Sequence, residues 1–262
     1  MIEIVDINDE RINYYRSLKY TPKSHTDNNI FIAEGQKVVE KLLRSNLKVV
    51  SFFATKDFYD KYTFLIEKHK IPCEKQFVAT KSLLKNIVGF NLHTGVMAIA
   101  EQPTLINTSE LDNISIALAN VTDAENVGAI VRNVVAFSFN SILFDSTSTS
   151  PYLRRSVRVS MGNIFDTKVC YVHKLKDALQ ELKLRGYSIV AAEVTKNSVS
   201  IDEHIFSKKS IIIFGNESNG ISEEVLDVCD VIVHIPIKAG VNSINVAATS
   251  AIFLNHIRNS FI

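Results

Sequence analysis

The sequence predicts an α/β protein in which a smaller α/β unit precedes a larger unit built on a parallel β-sheet. After residue 113, short apolar runs alternate with helical patterns, and a polar, turn-rich stretch at 101–113 separates this region from the first hundred residues. The length of 262 residues suits two modest domains. We therefore expect one domain over residues 1–103 and a second over residues 114–262.

The first hundred residues have the pattern of a compact α/β unit. Helices are predicted after Glu34-Gly35, where apolar residues fall on one side of the helical spacing, and at 57–70 and 81–86. Short apolar runs predict strands at 49–54 and 96–100.

Strand and helix signals alternate more clearly in the second region. Strands are predicted at 114–118, 141–144, 168–172, 188–192, 211–214 and 231–235, with helices at 126–137, 174–185, 222–228 and 243–257. Several runs are apolar at consecutive positions, which is typical of strands covered on both faces. Because ligands of parallel sheets bind beyond the carboxyl ends of the strands, we expect a site formed by the loops after Leu118, Ala192, Phe214 and Ile235.

The composition excludes several classes of protein. Hydrophobic residues make up 46% of the chain, with 9 Gly and 5 Pro, so the chain is not of low complexity. No apolar stretch approaches the roughly 20 residues of a membrane span, and the acidic start MIEIVDINDE is unlike a signal peptide. The three cysteines and seven histidines show no metal-ligand or disulfide spacing. We expect a cytoplasmic protein without a bound metal.

The net charge of +1 conceals an uneven distribution. Residues 1–100 contain 15 lysines and arginines against 11 acids, whereas residues 101–262 contain 14 against 17. This is the direction expected if the first region binds a polyanion, although a solvated surface also produces such a difference.

The first of three candidate loops, Asn120 to Gly128, opens a helix that contains Arg132. Asn126 has the side chain of a helix N-cap, and the first helical turn offers free N–H groups and partial positive charge. Arg132 lies among apolar residues, so it either pairs with a ligand or is a surface arginine whose stem lies along the helix.

The second loop, Gly215-Asn216-Glu217-Ser218-Asn219-Gly220, follows an apolar run. A glycine there allows a sharp turn and close approach of the backbone to a ligand, although an ordinary turn has the same composition. No Lys-Ser/Thr pair follows the second glycine, and the chain has no Gly-x-Gly-x-x-Gly. Kinase, GTPase and dinucleotide-dehydrogenase functions therefore lose their main support.

The third loop leaves the run at 231–235 through Pro236 and reaches Asn242-Ser243-Ile244-Asn245. The helix that follows is rich in small residues, which permit close approach of a neighbouring backbone. Either Ser243 or Asn242 can act as its N-cap.

In order, type and spacing, the three loops resemble the three signature motifs of the SpoU (TrmH-type) RNA 2′-O-ribose methyltransferases. The matching residues are Asn120, Asn126, Gly128 and Arg132, then Gly215, Glu217 and Gly220, then Ile235, Pro236 and Ser243 to Val246. The similarity covers residues 115–258 and includes the segment 150–165. Residues 32–39 and 93–96 resemble the L30e-like substrate-binding domain often attached to these enzymes.

The resemblance implies a SPOUT parallel sheet whose C-terminal part forms a trefoil knot, and a homodimer through the C-terminal domain. It also implies that S-adenosylmethionine is the cofactor and lies in the knot against Gly215, Ile235 and Ile244, near the loop after Ala192. Periodicity by itself does not reveal a knot, since nearly all chains are unthreaded.

The resemblance further implies that Arg132 is catalytic. A guanidinium has a pKa above about 12 and stays protonated, so we expect Arg132 to bind the RNA phosphate or the developing alkoxide instead of acting as the base. Glu217 either orients Arg132 or accepts the proton. Asn126, Ser243 and Asn245 are expected to hold the loops and the nucleotide.

Several basic and aromatic residues are candidates for RNA binding. Arg154, Arg155 and Arg158 form either a phosphate-binding patch or a solvated charge run. Lys37 is a further candidate, as are Arg11, Arg16, Lys19 and Lys23, with Tyr14, Tyr15 and Tyr20 available for base stacking or for packing.

By analogy with the L30e-like front, ribosomal RNA is favoured over transfer RNA as the substrate. A tRNA ribose methyltransferase and a non-catalytic RNA-binding or assembly factor on the same fold are the alternatives. The presence of Arg132, Glu217, Ser243 and Asn245 together argues against a protein that only binds RNA.

Overall fold

The computed structural model describes residues 1–16, 18, 25, 27–88, 95–238, 240, 241 and 243–261. Six residues named above lie outside this part of the chain: Lys19, Tyr20, Lys23, His93, Thr94 and Asn242. The described chain forms two compact units. The first comprises Met1–Pro103 with Tyr152–Phe165, and the second comprises Thr104–Pro151 with Asp166–Ile262.

The helices and strands follow one another along the chain with short connections. In order they are β1 (Ile2–Glu3), β2 (Ile30–Glu34), α1 (Gln36–Arg44), β3 (Val49–Ala54), α2 (Lys56–Lys68), β4 (Gln76–Val78), α3 (Lys81–Val88), β5 (Val96–Glu101), β6 (Ile114–Ala119), α4 (Ala124–Ala136), β7 (Ser141–Asp145), α5 (Arg154–Val159), β8 (Lys168–Val172), α6 (Leu175–Leu184), β9 (Ser188–Ala192), β10 (Val199–Ser200), β11 (Ser210–Gly215), α7 (Glu223–Leu226), β12 (Val231–His234) and α8 (Val246–Asn259).

The first unit contains a mixed five-stranded sheet in the order β1-β4-β3-β5-β2. Strand β5 runs antiparallel to β2 and β3, whereas β1 and β3 run parallel to β4. One face of the sheet packs on a core that includes Ile12, Tyr15 and Leu84. Tyr15 is buried against Phe53 and shares a 2.8 Å hydrogen bond with Ser51, so of the two roles left open for this residue it has packing and not base stacking.

Strand β2 was not predicted from the sequence, although Ile30 to Ala33 is a short apolar run. All five of its residues are buried. Phe31 stacks on Phe165 with ring centroids 5.3 Å apart, while its neighbours Ile30 and Ile32 belong to the core on the other face. The segment Tyr152–Phe165 therefore covers one face of this strand within the first unit, more than 100 residues away in sequence.

An ion pair fixes this covering segment to the first unit. Arg154 Nη1 donates a hydrogen bond to Glu34 Oε2, and the two side chains are 16% and 8% exposed. Arg155 and Arg158, on the same short helix α5, are exposed. The guanidinium of Arg154 therefore already binds a carboxylate, so it is less suited than Arg155 or Arg158 to bind a phosphate.

The second unit contains a seven-stranded sheet in the order β10-β12-β9-β11-β6-β7-β8, and all its pairings are parallel. This confirms the predicted parallel sheet. The central strand β11 is buried along its whole length, which explains the continuous apolar run at 211–214. Strands β8 and β9 have the predicted bounds, whereas the two-residue strand β10 was not predicted.

The C-terminal helix α8 returns from the strand β12 to pack against α4. The Asn133 side-chain amide donates to the Ala247 carbonyl at 2.8 Å and to Ser250 Oγ at 3.0 Å. Small side chains on α8 therefore allow the close approach of the two helices that the composition of this segment indicated. None of the described helices combines the length and apolar character required to cross a bilayer.

Replacing Arg154 by Ala should lower the free energy of unfolding by about 3 kcal/mol, because the Glu34 carboxylate is left buried without its partner. Urea denaturation followed by circular dichroism measures the loss. Arg158→Ala, on the exposed side of the same helix, is the control and should change the free energy by less than about 0.5 kcal/mol. Equal effects of the two substitutions would contradict the role of the ion pair.

The three cysteines should differ in reactivity towards an alkylating reagent. Burial raises the pKa of the Cys170 thiol to about 11 and that of Cys229 to about 12, whereas Cys73 is exposed. Since the thiolate is the reactive form, mass spectrometry after brief alkylation of the folded protein at pH 8 should find the label on Cys73 alone. Labelling of Cys170 or Cys229 at a comparable rate would show that their surroundings open.

Candidate active site

A cleft of about 500 Å³ lies at the carboxyl edge of the parallel sheet in the second unit. It is formed by the chain after β9, β11 and β12, which are three of the four strands whose following loops were predicted to form the site, whereas no residue of the loop after Leu118 lines it. Every residue that the sequence analysis assigned to the cofactor lines this cleft, together with three of the five candidate catalytic residues. These lining residues are Ala192, Gly215, Ile235, Ile244, Glu217, Ser243 and Asn245.

The side chain of Asn126 joins the three motif loops. Its Nδ2 atom donates to Glu217 Oε1 at 2.6 Å, and its Oδ1 atom accepts from Asn245 Nδ2 at 2.9 Å. One amide of the first loop therefore contacts both the second and the third loop, although the three residues are far apart in sequence.

The prediction that Asn126 is the N-cap of its helix is wrong. Helix α4 begins at Ala124, and Asp123 Oδ1 accepts the Glu125 N–H at 2.6 Å. Because Asp123 satisfies the helix terminus, the amide of Asn126 is free to bridge the other two loops.

The start of the C-terminal helix also differs from the prediction. Asn245, and not Ser243, caps α8, and its Oδ1 atom accepts from the N–H groups of Ala247 and Ala248 at 2.9 and 3.2 Å. Asn245 thus uses its oxygen for the helix and its Nδ2 for Asn126. Ser243 is exposed in the cleft.

The second loop holds its shape through Asn216 and a glycine. Asn216 Oδ1 accepts the N–H groups of Ser218 and Asn219 at 2.9 and 3.0 Å, and its Nδ2 donates to the Asn120 carbonyl at 2.9 Å. A Cβ at Gly215 would lie 2.6 Å from Ile221 Cγ1 and 2.7 Å from the backbone carbon of Gly220. The loop folds this tightly against β11 because position 215 has no side chain.

Arg132 lies on the exposed surface of α4 and makes no hydrogen bond or ion pair with a described residue. The proposed contact between Glu217 and Arg132 is absent from the described structure, since Glu217 contacts Asn126 instead. Arg132 is therefore a solvated cation, available to an anionic ligand.

Glu193, which directly follows β9, is a site residue that the sequence analysis missed. Its Oε2 atom accepts the Ile221 N–H and its Oε1 atom accepts the Val194 N–H, both at 3.0 Å. Gly220, with φ of +66°, leaves room for this carboxylate, because a Cβ there would overlap Oε2. The available signal was an acid immediately after a buried parallel strand, where ligands bind.

The cleft also contains a polar atom without a partner. His234 Nδ1 is buried and has no hydrogen-bond partner among the described residues. A buried polar atom of this kind is uncommon in a folded protein. No group of three or more His, Cys, Asp or Glu in the described part of the chain could hold a metal ion.

The residues predicted to contact RNA do not form one exposed group. Arg155, Arg158 and Lys37 are exposed, whereas Arg154 is paired with Glu34. Arg11 forms an ion pair with Asp9 at 2.5 Å. Arg16 donates to the Asp9 carbonyl, which ties this short stretch together.

A parallel α/β unit with a cleft at its carboxyl edge has the architecture in which small organic ligands bind. The profile of the SpoU rRNA Methylase family matches residues 113–255, which is more than half of the chain. The chain belongs to this family. It is an S-adenosylmethionine-dependent RNA methyltransferase.

Relatives extend the likeness beyond the second unit. A protein of Mycobacterium bovis, named an uncharacterized tRNA/rRNA methyltransferase, is 27% identical over 259 residues, which cover 95% of this chain and 89% of that protein. A 23S rRNA (guanosine-2′-O-)-methyltransferase of Acinetobacter baylyi is 25% identical over 234 residues, covering 84% of this chain and 93% of the relative.

Solved structures have the same fold. An AdoMet-bound rRNA methyltransferase of Sinorhizobium meliloti superposes with a TM-score of 0.87 at 21% identity, covering 100% of this chain and 98% of that one. A second structure, described as an RNA 2′-O ribose methyltransferase, has a TM-score of 0.80 at 17% identity, covering 99% of both chains. At these identities the likeness establishes the fold.

The cleft fits S-adenosylmethionine in size and chemistry. Its volume of about 500 Å³ lies within the ~300–1,000 Å³ of small-molecule sites. Its lining combines apolar residues such as Ile235 with the carboxylate of Glu193, a mixture that suits a ligand with both apolar and polar groups.

Replacing Gly215 by Ala should lower the free energy of unfolding by about 2 kcal/mol and weaken S-adenosylmethionine binding, since the new Cβ must displace the backbone of Gly220. Thermal denaturation and calorimetry measure the two effects. Gly186→Ala is the control, because its Cβ would meet nothing within 4 Å and incurs only the strain of a positive φ. Normal cofactor binding by the Gly215 variant would contradict the close approach.

Proposed function

We propose that the chain transfers the methyl group of S-adenosylmethionine to a ribose 2′-hydroxyl of RNA, with ribosomal RNA as the substrate. The named activities of the Acinetobacter baylyi relative and of the 2′-O ribose methyltransferase structure support this choice. The bridging of all three motif loops by Asn126 is the observation that carries the proposal. A pure RNA-binding factor would have no use for a cofactor cleft with this network beside it.

The cofactor supplies an electrophilic methyl group, so the protein must position the ribose, exclude water and assist loss of the hydroxyl proton. Glu217 is the exposed carboxylate of the cleft best suited to take that proton. Asn126 holds its Oε1 atom and leaves Oε2 available. Asn245 and Ser243 flank the same opening and provide hydrogen bonds for the nucleotide.

Arg132 stabilises negative charge in this proposal. Its guanidinium stays protonated and has no competing carboxylate among the described residues, so it can bind a phosphate or the developing alkoxide. A role in binding the substrate also explains why this exposed arginine has no ion-pair partner among the described residues.

The two-domain division is part of the proposal, with residues 1–103 as an RNA-binding domain and residues 114–262 as the catalytic domain, except that residues 152–165 belong to the compact unit of the first domain. The exposed cations Lys37, Arg155 and Arg158 support RNA binding. Arg154 contributes indirectly: its ion pair with Glu34 holds the helix α5, which carries Arg155 and Arg158.

We also propose that the chain acts as a homodimer through its second unit. Ile252, on the C-terminal helix α8, is 42% exposed, and Val241, in the segment before this helix, is 48% exposed. Exposed apolar side chains favour burial against a second copy. Sedimentation of the wild type and of Ile252→Glu provides the test, and a monomeric wild type would contradict the dimer.

The reaction is tested with labelled S-adenosylmethionine and total RNA from a strain that lacks the gene. Mass mapping of the labelled nucleotide should locate the methyl group on a ribose of ribosomal RNA. Label on transfer RNA would show that transfer RNA, and not ribosomal RNA, is the substrate. Label on a base would contradict methylation of the ribose. Absence of both label and cofactor binding would favour the alternative of a non-catalytic RNA-binding protein.

Arg132→Lys should lower the single-turnover rate about 100-fold while leaving S-adenosylmethionine affinity unchanged, because lysine keeps the charge and loses the planar, multiply donating guanidinium. Rapid quench and calorimetry measure the two quantities. Arg44→Lys, an exposed arginine of α1, is the matched control. A variant with near-normal turnover would refute the positioning role of Arg132.

A further inference from the structure

The cleft of the second unit has an unbalanced charge. Its described lining includes two carboxylates, Glu193 and Glu217, and neither lysine nor arginine. Glu217 is exposed and its Oε1 atom is bound to Asn126. Glu193 is partly buried and makes no ion pair with a described residue. A ligand in the cleft therefore meets a carboxylate that no protein cation neutralises.

The position of Glu193 is fixed from both sides. Backbone N–H groups of Val194 and Ile221 hold its two oxygens, and Gly220 leaves space for the carboxylate to lie against the second loop. Because the Glu193 side chain is already ordered, binding a cation costs it little conformational entropy. Its partial burial also reduces the screening of its charge by solvent. These two N–H contacts leave other lone pairs of the carboxylate accessible.

We propose that Glu193 is a specificity-determining residue that makes the cleft favour the cationic sulfonium form of the cofactor over its neutral thioether product. The inference rests on the proposed function, in which this cleft holds S-adenosylmethionine. The two molecules differ by one methyl group and one positive charge, so a fixed carboxylate distinguishes them by charge where shape discriminates weakly.

The charge changes during the reaction itself. Transfer breaks the S–CH3 bond, leaves its electron pair on sulfur and forms a C–O bond, while the hydroxyl proton passes to a carboxylate or to water. The positive charge that Glu193 attracted is then gone from the ligand, and the cleft loses it once the transferred proton passes on to bulk water. Glu193 thus strengthens binding before transfer and allows the product to leave afterwards.

Calorimetry on the full-length protein tests this inference without measuring activity. The ligands are S-adenosylmethionine, S-adenosylhomocysteine and sinefungin, a stable analogue that has an ammonium-bearing carbon in place of the methylsulfonium. The wild type should bind both cationic ligands about 5- to 20-fold more tightly than the thioether. Glu193→Gln should reduce this preference to about twofold or less.

Two further variants separate charge from structure. Glu203→Gln removes an exposed carboxylate of the same unit outside the cleft lining and should leave the preference unchanged. Glu193→Asp keeps the charge, and it should keep the preference even if overall affinity falls. Thermal denaturation identifies any variant that fails to fold, in which case the wild-type comparison of sinefungin with the thioether decides the question.

The outcomes are distinct. If Glu193→Gln weakens all three ligands equally, or leaves the preference intact, Glu193 only supports the loop and the inference is overturned. A wild type that binds the thioether as tightly as sinefungin overturns it as well. Failure of the wild type to bind any of the three ligands would instead contradict the proposed function.

Discussion

The hydrogen bonds of the Asn126 amide are the interaction on which the candidate active site depends. Three loops that are distant in sequence arrive at one edge of the sheet, and this amide connects them through Glu217 and Asn245. An amide suits the position because it donates and accepts at the same time. An aspartate would lack the donor for Glu217 and add a like charge beside it.

The order of the strands makes this meeting possible. Strand β11 lies between β9 and β6 and runs parallel to both. The second loop follows β11, Glu193 follows β9 and the first loop follows β6, so all three lie at the same edge of the sheet. Strand β12 lies beside β9, and α8 then returns to pack on α4. Asp123 caps the N-terminus of α4 and Asn245 caps that of α8, which leaves the amide of Asn126 free for the site.

The strands of the second unit could be predicted because they are buried on both faces and read as continuous apolar runs. Strand β2 is also a buried apolar run and was missed, and the segment that covers Phe31 lies more than 100 residues further along the chain. The same limit applies to side chains of ambiguous character. Tyr15 is as consistent with stacking on RNA as with packing, and its burial against Phe53 depends on the tertiary fold.

By itself the sequence determined the parallel α/β architecture and the three motif loops, because apolar periodicity and the spacing of glycine, asparagine and acidic residues are local properties. Only the tertiary structure decided which side chains serve the site and which serve the fold. It assigned helix capping to Asp123 and bridging to Asn126, paired Arg154 with Glu34, and placed Glu193 in the cleft. The physical reason is that hydrogen bonds and ion pairs depend on distances of a few ångströms between residues far apart in sequence, which no local pattern specifies.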